Sequence, residues 1–126
     1  MTKEEMSDFL KSIGGLKYGY YSNSSPVSDP HMFDIGPGWY KLVKELIEDL
    51  IELGWDRSVS QVKEKFGSLR FYIPSGSDEM HDRITKAEDD SYFICEVTGL
   101  PGEVRLDLGW WRTLCYEEYK KAKGIR

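Results

Sequence analysis

The chain has 126 residues, 40% hydrophobic and 31% charged, with a formal net charge of −5. That is the length of one folded domain with a proper core, and too apolar a composition for disorder. The acidic balance excludes a general nucleic-acid binder, because phosphate contacts need a positive surface, while leaving room for a local basic pocket. No apolar run approaches the roughly 18 to 20 residues of a membrane span, and residues 1–11 lack a signal peptide's basic start and apolar middle. The expected setting is the cytoplasm, where Cys95 and Cys115 are thiols and not a disulfide.

In chain order, Thr2 to Glu5 has capping-box spacing, and Met6, Phe9, Leu10 and Ile13 follow at helical intervals. This predicts a short amphipathic helix ending at Gly14-Gly15. Residues 16–30 are rich in Tyr, Ser, Gly and Pro without periodicity, which predicts an irregular arm. Its Tyr18, Tyr20 and Tyr21 either pack on the body or contact a partner. From Trp39 to Leu53, the residues Trp39, Leu42, Val43, Leu46, Ile47 and Leu50 form one apolar stripe opposite a charged one, predicting a helix that packs on a sheet. Gly54 is placed to end it in a left-handed cap. The preceding Gly36-Pro37-Gly38 reads as a stiff turn; an anion site there would lack the donor that Pro37 removes, and no Lys-Ser/Thr follows to make a P-loop.

Residues 58–73 predict a β-hairpin. Period-2 alternation places Leu69, Phe71 and Ile73 on one face and Arg70 and Tyr72 on the other, with Phe66-Gly67-Ser68 as the turn. Pairing about Gly67 puts Val62 on the apolar face and brings Gln61 and Lys63 beside Tyr72 and Arg70. Such a cluster suits an anionic, partly planar ligand, although a solvated outer sheet face needs no ligand at all. Ser77 is positioned to cap a helix from Asp78 to about Tyr92, with Asp78 and Glu79 complementing its positive end. His81 within it has no nucleophile or metal-ligand partner close in sequence and reads as solvated.

In the final third, residues 95–102 resemble a knuckle, residues 103–112 have room for one or two short strands, and a terminal helix is expected to begin near Thr113 to Glu118. A zinc site of this layout needs Cys-x-x-Cys and then Cys-x-x-His. Thr98 and Glu118 stand at the second and fourth positions, leaving Cys95 and Cys115 as a poor ligand set, so no bound metal or other cofactor is expected. Trp110, Trp111, Leu114 and Tyr119 are expected to hold the unit together instead. The fold class is α+β: a small antiparallel sheet built on the hairpin, packed by the amphipathic helix, with a C-terminal finger-like unit and terminal helix. A single domain is divided into an N-terminal helix and arm (1–30), a helix-hairpin-helix core (31–94) and the finger-like unit (95–126).

The order Gly36 to Trp39, then Gln61 to Tyr72, then Cys95 to Gly102, then Gly109 to Cys115 resembles a family of small uncharacterised proteins encoded by phages and prophages. Many of its members carry the complete cysteine and histidine set, so the resemblance implies a degenerate treble-clef-like finger here. It also implies a setting, the host cytoplasm, and a task, countering host immunity. No paired histidines, ligand cluster or nucleophile motif point to an enzyme. The leading expectation is a non-enzymatic binding protein that sequesters a nucleotide-like signal. Lys63, Lys65 and Arg70 would meet phosphate, Tyr72, Trp39 or Trp110 would stack on a base, and Arg105 or Arg112 would form a second clamp. A protein-interaction module that inhibits a host defence protein, with nucleic-acid mimicry by its acidic helices as one route, is the alternative; a nucleotide-processing enzyme is the weakest. A second copy of the chain is a further candidate partner.

Overall fold

The structure, a computed structural model, describes residues 1–19 and 25–124. Tyr20 and Tyr21 therefore lie outside the described residues. The elements run α1 (Lys3–Ser12), β1 (Lys17–Tyr18), β2 (Phe33–Asp34), α2 (Tyr40–Glu52), β3 (Ser58–Val59), β4 (Gln61–Lys65), β5 (Ser68–Tyr72), α3 (Asp78–Ser91), β6 (Glu103–Arg105), β7 (Arg112–Leu114) and α4 (Tyr116–Lys123). The class is α+β, as expected.

Local chemistry sets the helix ends. The Thr2 hydroxyl accepts from Glu5 N while the Glu5 carboxylate accepts from Thr2 N, closing the capping box of α1. At its other end Arg57 Nη1 donates to Ile13 O at 2.6 Å, satisfying a carbonyl that the helix leaves open. Ser77 Oγ accepts from Met80 N and caps α3. The whole apolar stripe of α2 is buried, and Gly54 follows it at φ 92°.

Sheet order is β2-β4-β5, with β4 and β5 antiparallel and β2 parallel to β4. The sheet is thus mixed, because buried Phe33 brings a two-residue strand alongside Val62. Hairpin register matches the alternation: Gln61 faces Tyr72, Val62 faces Phe71 and Lys63 faces Arg70. Val62, Leu69 and Phe71 enter the core with α2, and α3 packs beside both. Two edge N–H groups of β5 are taken up by α3 side chains: Leu69 N donates to Ser91 Oγ at 2.9 Å and Phe71 N to Glu88 Oε2 at 3.0 Å.

The main core includes the N-terminal segment, since Met6, Leu10 and Leu16 are fully buried in it. A second, small cluster holds Cys95, Leu114 and Cys115, flanked by Val97, Leu108 and Tyr119. Thr113 and Leu114 belong to strand β7 and not to the terminal helix, because their backbones pair with Val104 and Glu103. Helix α4 begins only after Cys115 and buries none of its residues. No described helix is long and apolar enough to cross a membrane.

Candidate binding surface

Sequence dictates an unusual hairpin tip. Only Phe66 and Gly67 separate β4 from β5, and a two-residue connection of this kind needs positive φ at both positions. Phe66 sits at φ 55° and Gly67 at φ 80°. Glu64 Oε2 accepts from Gly67 N at 2.7 Å, and the Thr113 hydroxyl donates to Gly67 O at 2.5 Å, fastening the turn to β7. The Phe66 ring is 61% exposed and meets Trp111 edge-on, with ring centroids 6.0 Å apart. Phe66, Gly109, Trp110 and Trp111 line an open cavity of about 650 Å³. Lys65 Nζ lies 5.6 Å from the Phe66 ring.

The loop between β6 and β7 that carries Trp110 and Trp111 is tied at its base. Tyr119 Oη donates to Asp107 at 2.6 Å and Lys123 Nζ pairs with Asp107 at 3.0 Å. Both partners, Tyr119 first, hold the Asp107 carboxyl below its ordinary range. Neither tryptophan holds the C-terminal unit together, contrary to the expectation. Trp110 is 63% and Trp111 49% exposed, and the unit is held by Leu114 and by polar contacts.

Glu96 supplies the central polar contact. It is buried, its Oε1 accepts from Arg112 Nε at 2.9 Å, and its own N–H donates to Thr113 O. Arg105 lies 4.5 Å over the Tyr119 ring and donates to Leu114 O and Glu103. Arg105 and Arg112 thus each spend donors inside their own unit, Arg112 on buried Glu96 and Arg105 on Leu114 O and Glu103. Trp39 is also displaced from the expected site. It is fully buried and donates 2.8 Å from Nε1 to Ile94 O, so its ring has no face for a base.

Lys63, Arg70 and Tyr72 do share the outer face of the hairpin, with Lys63 directly opposite Arg70. Asp34 stands beside Lys63 in β2, and the Glu88 carboxylate lies near Arg70. Burial raises the Glu88 carboxyl above its ordinary value, against the Phe71 N–H and Arg70, which pull it down. Of the expected residues, Lys65 and Trp110 reach the aromatic tip. Phe66 and Trp111 were missed as contact residues, although an exposed aromatic at a turn position that favours Asn was a readable signal.

The knuckle does not assemble a metal centre. Thr98 Oγ1 lies 3.7 Å from Cys115 Sγ, and Glu118 turns to Lys121 at 3.1 Å. Burial pushes the Cys95 thiol up, but the Thr98 hydroxyl and the N–H groups of Cys115, Thr98 and Val97 outweigh it and draw it below its ordinary value. Among the described residues no three His, Cys, Asp or Glu side chains stand close enough together to hold an ion. Two thiols and a hydroxyl do not fit structural zinc.

The Gly36-Pro37-Gly38 turn is closed by the same knuckle. Gly38 N donates to Glu96 O at 2.9 Å, and a Cβ on Gly38 would come within 2.1 Å of Cys95 O. Its donor is spent and the approach is filled, as the stiff-turn reading requires.

No family model matches the chain, and no curated protein or solved structure matches it either.

Proposed function

We propose that this is a non-enzymatic binding protein that docks on another protein through the aromatic tip, and that in the phage setting implied by the resemblance its partner is a host defence protein. The observation that carries this reading is that three exposed rings, Phe66, Trp110 and Trp111, line one open cavity, with Phe66 and Trp111 in edge contact. Burying rings of this size supplies most of the energy of protein interfaces, and contiguous exposed aromatics are rare on monomers without a contact role. Leu106 and Tyr116, elsewhere on the same C-terminal unit, are also more than half exposed.

A photo-crosslinking residue at position 110, in protein expressed in the bacterial host, tests the reading. One discrete adduct is expected, absent when the probe stands at exposed Asp82 and lost on Trp111→Ala. Equal adducts from position 82, or adducts indifferent to Trp111→Ala, overturn it.

Nucleotide sequestration is kept as a second reading by one observation. Lys63 and Arg70 are like charges directly opposed across the strands, offset in part by Asp34 and Glu88, and Arg70 Nε is buried with no hydrogen-bond partner among the described residues. Native mass spectrometry of protein purified from the host decides it: a mass excess lost on Arg70→Ala supports a phosphate ligand, and a clean apo mass removes it.

A further inference from the structure

Helix α4 is eight residues long and buries none of them. Isolated helices shorter than about 12 residues are marginal in water, so an element of this kind is normally held by packing. Its last turn carries Lys120, Lys121 and Lys123, and Tyr116 at its start is 62% exposed, with Lys120 Nζ one turn on and 5.4 Å from its ring. The helix is therefore a basic element held to its own unit mainly through Tyr119, with the side that carries Tyr116 and Lys121 open.

A surface of the opposite character lies between α1 and α2. Two cavities of about 460 and 670 Å³ share Phe9, Lys44 and Glu48 and so adjoin along the seam between the two helices. Phe9, Ile13 and Ile51 supply apolar lining, each partly buried against the core. Asp8, Glu48 and Glu52 line it with negative charge, and among the described residues none of the three is in an ion pair. Of the two lysines in the groove, Lys44 lies over the Phe9 ring and Lys41 is paired with Glu45.

We propose that the chain dimerises by exchanging these helices, α4 of each copy lying in the α1–α2 groove of the other. Tyr116 meets the apolar lining and the lysines meet Asp8, Glu48 and Glu52, the recognition mode of an amphipathic helix in a groove. Two-fold symmetry makes the contact twice and closes the assembly. The present pairs of Lys121 with Glu118 and of Lys123 with Asp107 each have one member half or more in solvent, and pairs so placed contribute little that an exchange would lose. The interface does not include Phe66, Trp110 or Trp111, and Tyr119 keeps its hydrogen bond to Asp107 at the base of the tip loop when Lys123 turns to the groove.

Sedimentation and light scattering on the full chain test the proposal. The protein is expected to be a dimer that weakens as salt rises. Glu48→Lys/Glu52→Lys and Lys120→Glu/Lys121→Glu should each weaken it by about tenfold or more, with unchanged circular dichroism. Mixing the two variants should restore a dimer, because the acidic helix then faces the basic groove and the basic helix the acidic one. A monomeric wild type at all concentrations overturns the proposal. So does a dimer that persists in both variants, that dissolves only on Trp110→Ala/Trp111→Ala, or that is not restored by mixing.

Discussion

Phe66 is held in surroundings that suit neither its backbone nor its side chain. A left-handed conformation costs an ordinary residue roughly 1 to 2 kcal/mol, and its ring is left mostly in water. Asn-Gly is the preferred pair for such a turn. Phe66→Asn should therefore raise stability by about 1 kcal/mol in denaturant titration, offset in part by the lost edge contact with Trp111, while abolishing crosslinking from position 110. Loss of stability together with binding would make Phe66 a structural residue. Glu88 offers a second test at this scale. Its carboxyl is raised, so between its ordinary and its folded value the native state keeps a proton that the unfolded chain releases, and its contribution to stability falls as pH rises through that window. Glu88→Gln, which can still accept from Phe71 N, should remove that part of the pH dependence. Glu88→Ala, which leaves an edge N–H without its partner, should cost about 1 to 3 kcal/mol at neutral pH. Equal pH profiles for wild type and Glu88→Gln would count against the assignment.

Elements written in local pattern were legible before the fold was known. The hairpin register followed from alternation, and the starts of α1 and α3 from their caps, because these depend on residues within a few positions of one another. The junction of the knuckle with α2 was not legible. It joins Gly38 to Glu96 and Trp39 to Ile94, contacts that no periodicity encodes. Trp39 was read both as part of the apolar stripe and as a stacking residue, and the long-range contact decides for the first. Gly38→Ala should destabilise the protein by about 3 kcal/mol or more, since backbone and not a movable side chain stands in the way of the new methyl. Glu96→Ala should cost roughly 3 to 5 kcal/mol by leaving Arg112 without its buried partner. Exhaustive chelation, in contrast, should leave the melting temperature unchanged, as Cys95 and Cys115 with the Thr98 hydroxyl make a poor ligand set; a drop of several degrees would return a metal to the region.

For the whole molecule, local patterning led to the right class, and the net charge by itself hides how unevenly the acidity is spread. Helices α1, α2 and α3 carry the excess of Asp and Glu, the C-terminal unit is close to balanced, and the hairpin carries Lys63, Lys65 and Arg70 against Glu64. The hairpin end is thus locally basic, and association of the tip with an acidic partner should slow as salt rises, more steeply in wild type than in Lys65→Glu. The candidate site was half legible for a related reason. Basic residues on a strand can be read from spacing, but which of them is spent on an internal carboxylate, as Arg112 is on Glu96, appears only once distant segments meet.

The seam between the knuckle and α2 also orders events during synthesis. Domains generally acquire structure from the N-terminus as the chain emerges, yet here the turn that leads into α2 is closed by Glu96 and the hairpin tip is fastened by Thr113. A nascent chain stopped before Thr113 has its main core residues but neither that fastening nor the strand that follows Trp110 and Trp111. Translation must run past the last strand before the aromatic surface takes its shape, so prematurely terminated chains expose the same rings without the geometry that would let them bind.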